Sequence, residues 1–150
     1  MVLETLKEDY KTTLGFIDKC DQHMFKVKSW ALVTTSAVIA FAIARDEDLV
    51  VLVNLVLIPA FLYLELVYKT FQDTAIDHSN EVEGRIDRYL SGEETGLPNY
   101  KFGFGRKLHY PSISRVWAVL TNPNRRHIVL FYGFIAVASI GAFFVGRYIS

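Results

Sequence analysis

The chain has 150 residues, enough for one domain, and its 16 basic and 16 acidic residues cancel to a formal net charge of zero. Zero charge argues neither for nor against nucleic-acid binding, but the single cysteine, Cys20, excludes an internal disulfide and a cysteine-rich metal site. Hydrophobic residues make up 51% of the sequence, somewhat above a typical soluble chain, and they are concentrated in three blocks.

Residues 1–28 are predicted to form an amphipathic helix on the cytoplasmic side of a membrane, with no cleavable signal peptide. Its less polar residues recur at alternating steps of three and four, the spacing of a coiled-coil seam. A helix that packs on any core is the alternative, but the sustained spacing favours one long partner helix. The seam positions are Leu3, Leu6, Tyr10, Thr13, Ile17, Cys20, Met24 and Val27.

Two apolar blocks follow, at 29–44 and 49–68, and the four charged residues 45–48 separate them. The second block has the length that a helix needs to cross a hydrocarbon core of ~30 Å. The first is short for a span, but Trp30 lies at its start, as interfacial anchors do. Because the intervening turn is tight and polar, residues 29–68 are predicted to form a transmembrane hairpin.

The second helix is predicted to continue out of the membrane over residues 69–90. Its apolar positions thin out there to a single stripe with helical spacing. Folding the hairpin about 46–47 sets this stripe against the seam of 1–28, which predicts an antiparallel cytoplasmic stalk. The stripe consists of Tyr68, Phe71, Ala75, Val82, Ile86 and Tyr89, and the predicted solvated face carries Asp73, Asp77, Glu81 and Asp87.

Residues 91–126 break the helical pattern and form a basic, aromatic-rich segment. Glycine and proline end the preceding helix, and Ser112 is expected to cap a brief helix near 113–120. Residues 99–127 contain no acid, and a juxtamembrane segment of this kind most often contacts anionic headgroups. An anionic ligand such as a nucleotide, or nucleic acid, is the less favoured alternative. The predicted contacts are Lys101, Arg106, Lys107, Arg115, Arg125 and Arg126.

A third apolar block, 127–147, also has the length of a span. Its small residues at 138, 142 and 146 share one face, which is either a close-packing interface or a chance of composition. Five Lys/Arg precede the first span and nine lie in 69–126, against one in the 45–48 turn and one after Gly146. Positive residues favour the inside, so we predict an all-α protein of the bacterial inner membrane with three transmembrane helices. Its N-terminus is cytoplasmic and its C-terminus is outside.

Glu65 is the one acid within an apolar block. A carboxylate at membrane depth is costly and is a candidate functional site by default. Folding the hairpin places Glu65 opposite Lys28, so we predict an ion pair near the membrane surface that fixes the register of the two spans. A proton or ion site at Glu65 is the alternative.

The second span is interrupted by Asn54 and Pro59. Proline removes a backbone donor and kinks a helix, and the carbonyl freed in this way needs another partner. Thr34, Thr35 and Ser36 lie opposite in the hairpin and are predicted to supply the compensating hydrogen bonds. A polar strip that lines an oligomeric pore is the alternative.

Two stretches, FKVKSWALVTTSAVIAFAI and LIPAFLYLELVYKTFQ, resemble small bacterial inner-membrane proteins of the two-helix transmembrane effector type. Such proteins occur beside nucleotide-signalling and anti-phage systems. Lys28, Trp30, Glu65 and Tyr68 carry the resemblance, which covers roughly residues 20–90. It implies a long cytoplasmic helix, homo-oligomerisation and perturbation of the inner membrane, although the third span departs from the two-span pattern.

No motif typical of an enzyme is present, because the histidines are scattered and neither HExxH nor GxSxG occurs. We therefore predict no catalytic residue, no cofactor and no metal site. The leading functional hypothesis is a small homo-oligomeric protein that forms a pore or perturbs the membrane as an effector in bacterial defence. The alternative is a non-enzymatic scaffold or accessory subunit that docks a cytoplasmic protein partner on the stalk.

Overall fold

The computed structural model describes residues 2–45, 47–93 and 111–149, and these are almost entirely helical. The prediction of an all-α chain is confirmed, and three helices are long and apolar enough to cross a membrane. The elements are α1 (Val2–Arg45), a 3₁₀ helix (Asp48–Val53), α2 (Asn54–Leu90), α3 (Ile113–Thr121), a 3₁₀ turn (Pro123–Arg125) and α4 (Arg126–Ile149).

Helix α1 is one continuous helix of 44 residues that joins the amphipathic segment to the first apolar block. It contains no proline, and its one glycine, Gly15, is exposed with open space around it. A single glycine costs roughly 1 kcal/mol relative to alanine in a helix interior. That cost is small beside the packing of so long a helix, so the helix runs through it.

The connection from α1 to α2 is tighter than a simple polar loop. The Glu47 amide donates to the Ala42 carbonyl oxygen at 3.1 Å, and the Val50 amide donates to the Glu47 carbonyl oxygen at 3.0 Å. The apolar block predicted as α-helix from residue 49 therefore begins as a 3₁₀ helix and becomes α-helical at Asn54. A 3₁₀ helix rises about 2.0 Å per residue, so this part of the block reaches further than an α-helix would. Pro59 lies inside α2 without ending it.

Helices α1 and α2 pack along each other, and their partners follow opposite orders in the two helices. All eight predicted seam positions of α1 are buried or half-buried, and α2 is its chief neighbour. The polar contacts between them are Asn54 with Thr35, Glu65 with Lys28, Gln72 with Asp21, and His78 with Asp9.

Helix α2 ends at a glycine that adopts the left-handed conformation. Gly92 has φ +79°, and the Glu93 amide donates to the Arg88 carbonyl oxygen at 3.0 Å. This is the pattern of a Schellman cap, in which a glycine lets the chain turn back while the last carbonyls remain bonded.

Helix α3 begins after Ser112, as the sequence predicts, but Ser112 does not cap it through its side chain. Its hydroxyl instead forms a hydrogen bond of 2.9 Å with the Ser114 hydroxyl. Ser112 is therefore the N-cap residue, as predicted, and its carbonyl oxygen accepts the first helical bond, from the Arg115 amide at 2.9 Å.

The hydrophobic core lies where all four α-helices meet. Away from it, the apolar blocks are largely exposed, because only 22%, 28% and 22% of the most apolar stretch of each long helix is buried. A protein surrounded by water would leave that much apolar surface uncovered at a large cost. The core residues are Ala31, Ile58, Leu66, Val116, Val119, Ile128, Tyr132 and Ile135.

Candidate functional site

Two sets of buried polar side chains connect the three apolar helices, and each set takes one residue from α1, α2 and α4. We call them the Glu65 layer and the Asn54 layer. The Glu65 layer is Lys28, Glu65 and Tyr132, and the Asn54 layer is Thr35, Asn54 and Ser139. At 1.5 Å of rise per residue, Glu65 and Asn54 lie about 16 Å apart along α2.

The Glu65 layer contains the ion pair that the hairpin places together. Glu65 is 1% exposed, and its Oε1 lies 3.0 Å from Nζ of Lys28, whose side chain is 31% exposed. The ammonium group also lies 5.9 Å from the centroid of the Phe131 ring. A lysine in this position buries its aliphatic stem and keeps its charged end towards polar surroundings. The role of the pair in fixing the register remains a prediction.

The third member of this layer is Tyr132, which the sequence did not single out. Its hydroxyl lies beside the Glu65 carboxylate. Within the described residues, neither this hydroxyl nor Oε2 of Glu65 has a partner at hydrogen-bond geometry. The Tyr132 O–H is therefore available to donate to Oε2 of Glu65, the carboxylate oxygen that is not paired with Lys28. A buried ion pair contributes to stability only when its remaining lone pairs are also satisfied.

The Asn54 layer joins the three helices through an amide. Asn54 is 0% exposed, and its Nδ2 donates to the Ser139 hydroxyl at 3.1 Å and to the Thr35 carbonyl oxygen at 3.4 Å. The Ser139 hydroxyl in turn donates to the Ile135 carbonyl oxygen at 3.0 Å. Both amide protons of Asn54 are thus used between helices of the same chain.

The threonines of α1 do not donate the predicted hydrogen bonds to the backbone of α2 near Pro59. The Thr35 hydroxyl donates at 2.6 Å to the Ala31 carbonyl oxygen of its own helix. Thr34 is half-buried and forms no hydrogen bond with any described residue. The contact between the helices instead runs from Asn54 to the Thr35 carbonyl, because the short hydroxyl side chain reaches the preceding turn more easily than a neighbouring helix.

The predicted lipid-contact residues divide into three groups. Lys101, Arg106 and Lys107 lie outside the described residues. Arg125 is held in an ion pair, with Nη2 2.7 Å from Oδ2 of Asp73. Arg115 and Arg126 are exposed. Asp73 was predicted on a solvated face, but it ties the start of α4 to α2 because Arg125 immediately precedes α4.

A cleft of about 410 Å³ lies between α2 and α3. Acidic side chains from successive turns of α2 line one wall, and Arg115 of α3 lies across from them. The cleft is therefore polar and mixed in charge. Its acids are Asp73, Asp77 and Glu81.

Beneath this cleft, His78 and Asp9 form a second buried pair, which the sequence did not predict. Nε2 of His78 lies 3.2 Å from Oδ2 of Asp9, and both residues are buried. A signal was present, because the apolar stripe of α2 has a gap between Ala75 and Val82 at the position where His78 faces α1. Histidine is polar, so it is not counted when the stripe is defined by apolar residues alone.

The chemistry of the remaining reactive groups is limited. Within the described ranges, no three His, Cys, Asp or Glu side chains come close enough to hold a metal ion. Burial, and to a lesser degree the negative charge of Asp21, raises the pKa of Cys20 to about 11. A thiol with so high a pKa stays protonated at neutral pH and is a poor nucleophile.

Comparison with protein-family models, curated proteins and solved structures finds nothing that matches the chain. The resemblance to two-helix transmembrane effectors, and the function it implies, therefore remain predictions. What the site itself offers is two buried polar layers between three helices of one chain, in which Asn54 Oδ1, Glu65 Oε2 and the Tyr132 hydroxyl have no hydrogen bond to a described residue.

Proposed function

We propose that this chain is a three-span protein of the bacterial inner membrane that carries an antiparallel helical stalk in the cytoplasm. In this proposal it is a non-enzymatic scaffold or accessory subunit, and it docks a cytoplasmic protein partner on the stalk. One observation carries the choice of a scaffold over a pore. The polar residues of the spans, Glu65 and Asn54, are buried inside a single chain.

The membrane assignment is supported by the exposed apolar surface. Large apolar side chains such as Val33, Val56 and Phe134 are exposed, and they are more stable in contact with lipid than with water. In the same surroundings a buried polar group needs a partner within the protein, and Oε1 of Glu65 and the amide nitrogen of Asn54 have such partners. The excess of Lys/Arg before the first span and in 69–126 supports a cytoplasmic stalk.

The stalk is supported by the contacts between the polar parts of α1 and α2. Gln72 Nε2 donates to Asp21 Oδ1 at 2.7 Å, and Lys69 donates to Gln72. A helical pair that runs from residue 28 to the N-terminus extends about 40 Å. Its outward faces carry exposed charged side chains, among them Glu8, Lys11 and Glu83, and these suit a protein partner.

A homo-oligomeric, membrane-perturbing effector is the second candidate, and a surface of α4 favours it. Gly133 and Gly141 lie on the exposed side, and no atom lies within 4 Å of where a Cβ would be. A second copy of the chain would be able to approach closely there. In that assembly the pore would have to be lined by residues other than Asn54 and Thr35.

Reconstitution separates the two candidates. The purified chain is placed in vesicles loaded with a fluorescent dye, and its mass in detergent is measured by light scattering. A scaffold gives a single chain or small assembly and no release of dye above empty vesicles. Dye release that grows with protein concentration, from a discrete larger assembly, would contradict the scaffold and support the effector.

A further inference from the structure

Helix α3 has apolar side chains on two faces, and only one of them is covered. Val116 and Val119 are buried in the core beside Leu66. On the other side, Ile113 is 84% exposed and Trp117, one helical turn later, is 63% exposed. A short helix in water would not display both, so this second face indicates apolar surroundings.

The depth of α3 follows from what it packs on. Leu66 lies near the end of the second apolar block and Ile128 lies in the first turn of α4. Helix α3 is therefore level with the ends of two candidate spans, and the short turn Pro123–Arg125 connects it to α4. This is the level at which tryptophan is enriched, where hydrocarbon meets headgroups.

A groove of about 430 Å³ lies between the end of α3 and the start of α4. Its apolar side is formed by Leu120, Val129 and Leu130, and its polar side by Thr121, Asn122 and Arg126. Leu130 is 70% exposed, and Phe134 continues its strip one turn further along the span. The apolar side of the groove is thus continuous with the surface that faces lipid.

The two neighbouring arginines at this groove have different surroundings. Arg125 is paired with Asp73, whereas Arg126 is exposed and forms no ion pair with any described residue. Residues 111–149 contain no acid. The polar end of the groove is therefore cationic, and a guanidinium group is well suited to bind a phosphate oxygen pair.

We propose that this groove binds one anionic phospholipid of the cytoplasmic leaflet, with its phosphate on Arg126 and an acyl chain along Leu130. This inference rests on the proposed membrane function. A phospholipid is the occupant because the site joins a cation at headgroup depth to an apolar strip that runs down the span. A soluble phosphate compound would use the cation and leave the strip uncovered.

Native mass spectrometry of the intact chain in detergent tests the proposal. Phosphatidylglycerol and phosphatidylcholine of equal chain length are added in competition, and the fraction of each adduct is measured. We expect a preference for phosphatidylglycerol that falls about fivefold in Arg126→Gln, the effect of one basic residue near an anionic surface. Lys11→Gln removes the same charge from an exposed position on the stalk and should leave the preference unchanged.

Further arms identify the ligand and separate this proposal from the function on which it rests. Inorganic phosphate should not displace the lipid, and Leu130→Ser should weaken retention of both lipids. Displacement by phosphate would overturn the lipid assignment. If the chain inserts into vesicles but Arg126→Gln and Lys11→Gln bind alike, the groove proposal fails and the membrane proposal survives. If the chain does not insert at all, both fail.

Discussion

The apolar half of this molecule and the proposed stalk each contain a buried polar pair, and the two pairs have different surroundings. In the apolar half, the ion pair of Lys28 and Glu65 is joined by Tyr132 from a third helix. In the stalk, the pair of His78 and Asp9 lies between α1 and α2. Lipid offers a buried polar group no partner, whereas water reaches the flanks of a stalk. In lipid, a buried carboxylate such as Glu65 therefore depends on partners that the protein itself supplies.

The largest loss of stability is expected when one charge is removed from the Glu65 layer. Lys28→Ala leaves the Glu65 carboxylate buried without its cation, and should lower the free energy of unfolding by roughly 3 kcal/mol. Equilibrium unfolding in detergent measures the change. Lys26→Ala, at an exposed neighbouring position, is the matched control. The double variant Lys28→Met with Glu65→Leu should recover most of the lost free energy of unfolding. A double variant as unstable as Lys28→Ala would contradict an ion pair in this layer.

A charge placed in the seam should damage the stalk and spare the spans. Leu6 is buried against α2, so Leu6→Asp should cost about 2 kcal/mol. Hydrogen exchange should show protection lost over residues 3–27 and retained over the apolar half of α1. Leu14→Asp, at an exposed position of the same helix, should leave both regions protected. If protection were lost uniformly over the whole of α1, the two halves of the helix would unfold together, and the prediction would be wrong.

The Asn54 layer should contribute less than the Glu65 layer, because it contains no charge. Asn54→Ala removes the donors to Ser139 and Thr35 and should cost about 1 kcal/mol, since hydrogen bonds between membrane helices are modest. A double-mutant cycle with Ser139→Ala should give a coupling above ~0.5 kcal/mol. Ser36→Ala, at an exposed site, is the control. A cycle with no coupling would remove Ser139 from the layer.

The smallest effect is expected at Cys20 and depends on pH. Its pKa is raised from 9.0 to about 11 in the folded chain, chiefly by burial. Because the folded state favours the protonated thiol, its contribution to stability is full below pH 9.0 and declines as the pH rises towards about 11. At pH 8 a maleimide should therefore label Cys20 far more slowly than a cysteine placed at Lys19, which is exposed. Equal rates would show that the seam is open.

Much of the helical framework was predictable from sequence, because hydropathy and periodicity report burial directly. The seam of α1 and the approach of Lys28 to Glu65 follow from two helices joined by a short turn. Tyr132 and Ser139 were not predictable in this way. Helix α4 is apolar on all sides, so its sequence does not specify which face turns towards α1 and α2.

Other failures have local causes. The 3₁₀ start of the second block depends on how tightly the Glu47 turn closes, which residue type alone does not reveal. Ser112 is the N-cap of α3 as predicted, but sequence does not reveal that its hydroxyl bonds to Ser114 and not to a backbone amide of the helix. His78 and Asp9 are polar residues at buried positions, and their burial depends on packing between helices, which the local sequence does not reveal.

Cysteine accessibility in intact cells tests the central claim most directly, which is that three spans separate a cytoplasmic stalk from an outside hairpin turn. Single cysteines replace Glu47, Tyr148, Glu8 and Glu93 in a Cys20→Ala background, and a membrane-impermeant reagent is added from outside. The account predicts labelling at positions 47 and 148, and labelling at positions 8 and 93 only after the cells are opened. Labelling of position 93 in intact cells, or protection of position 47, would contradict it.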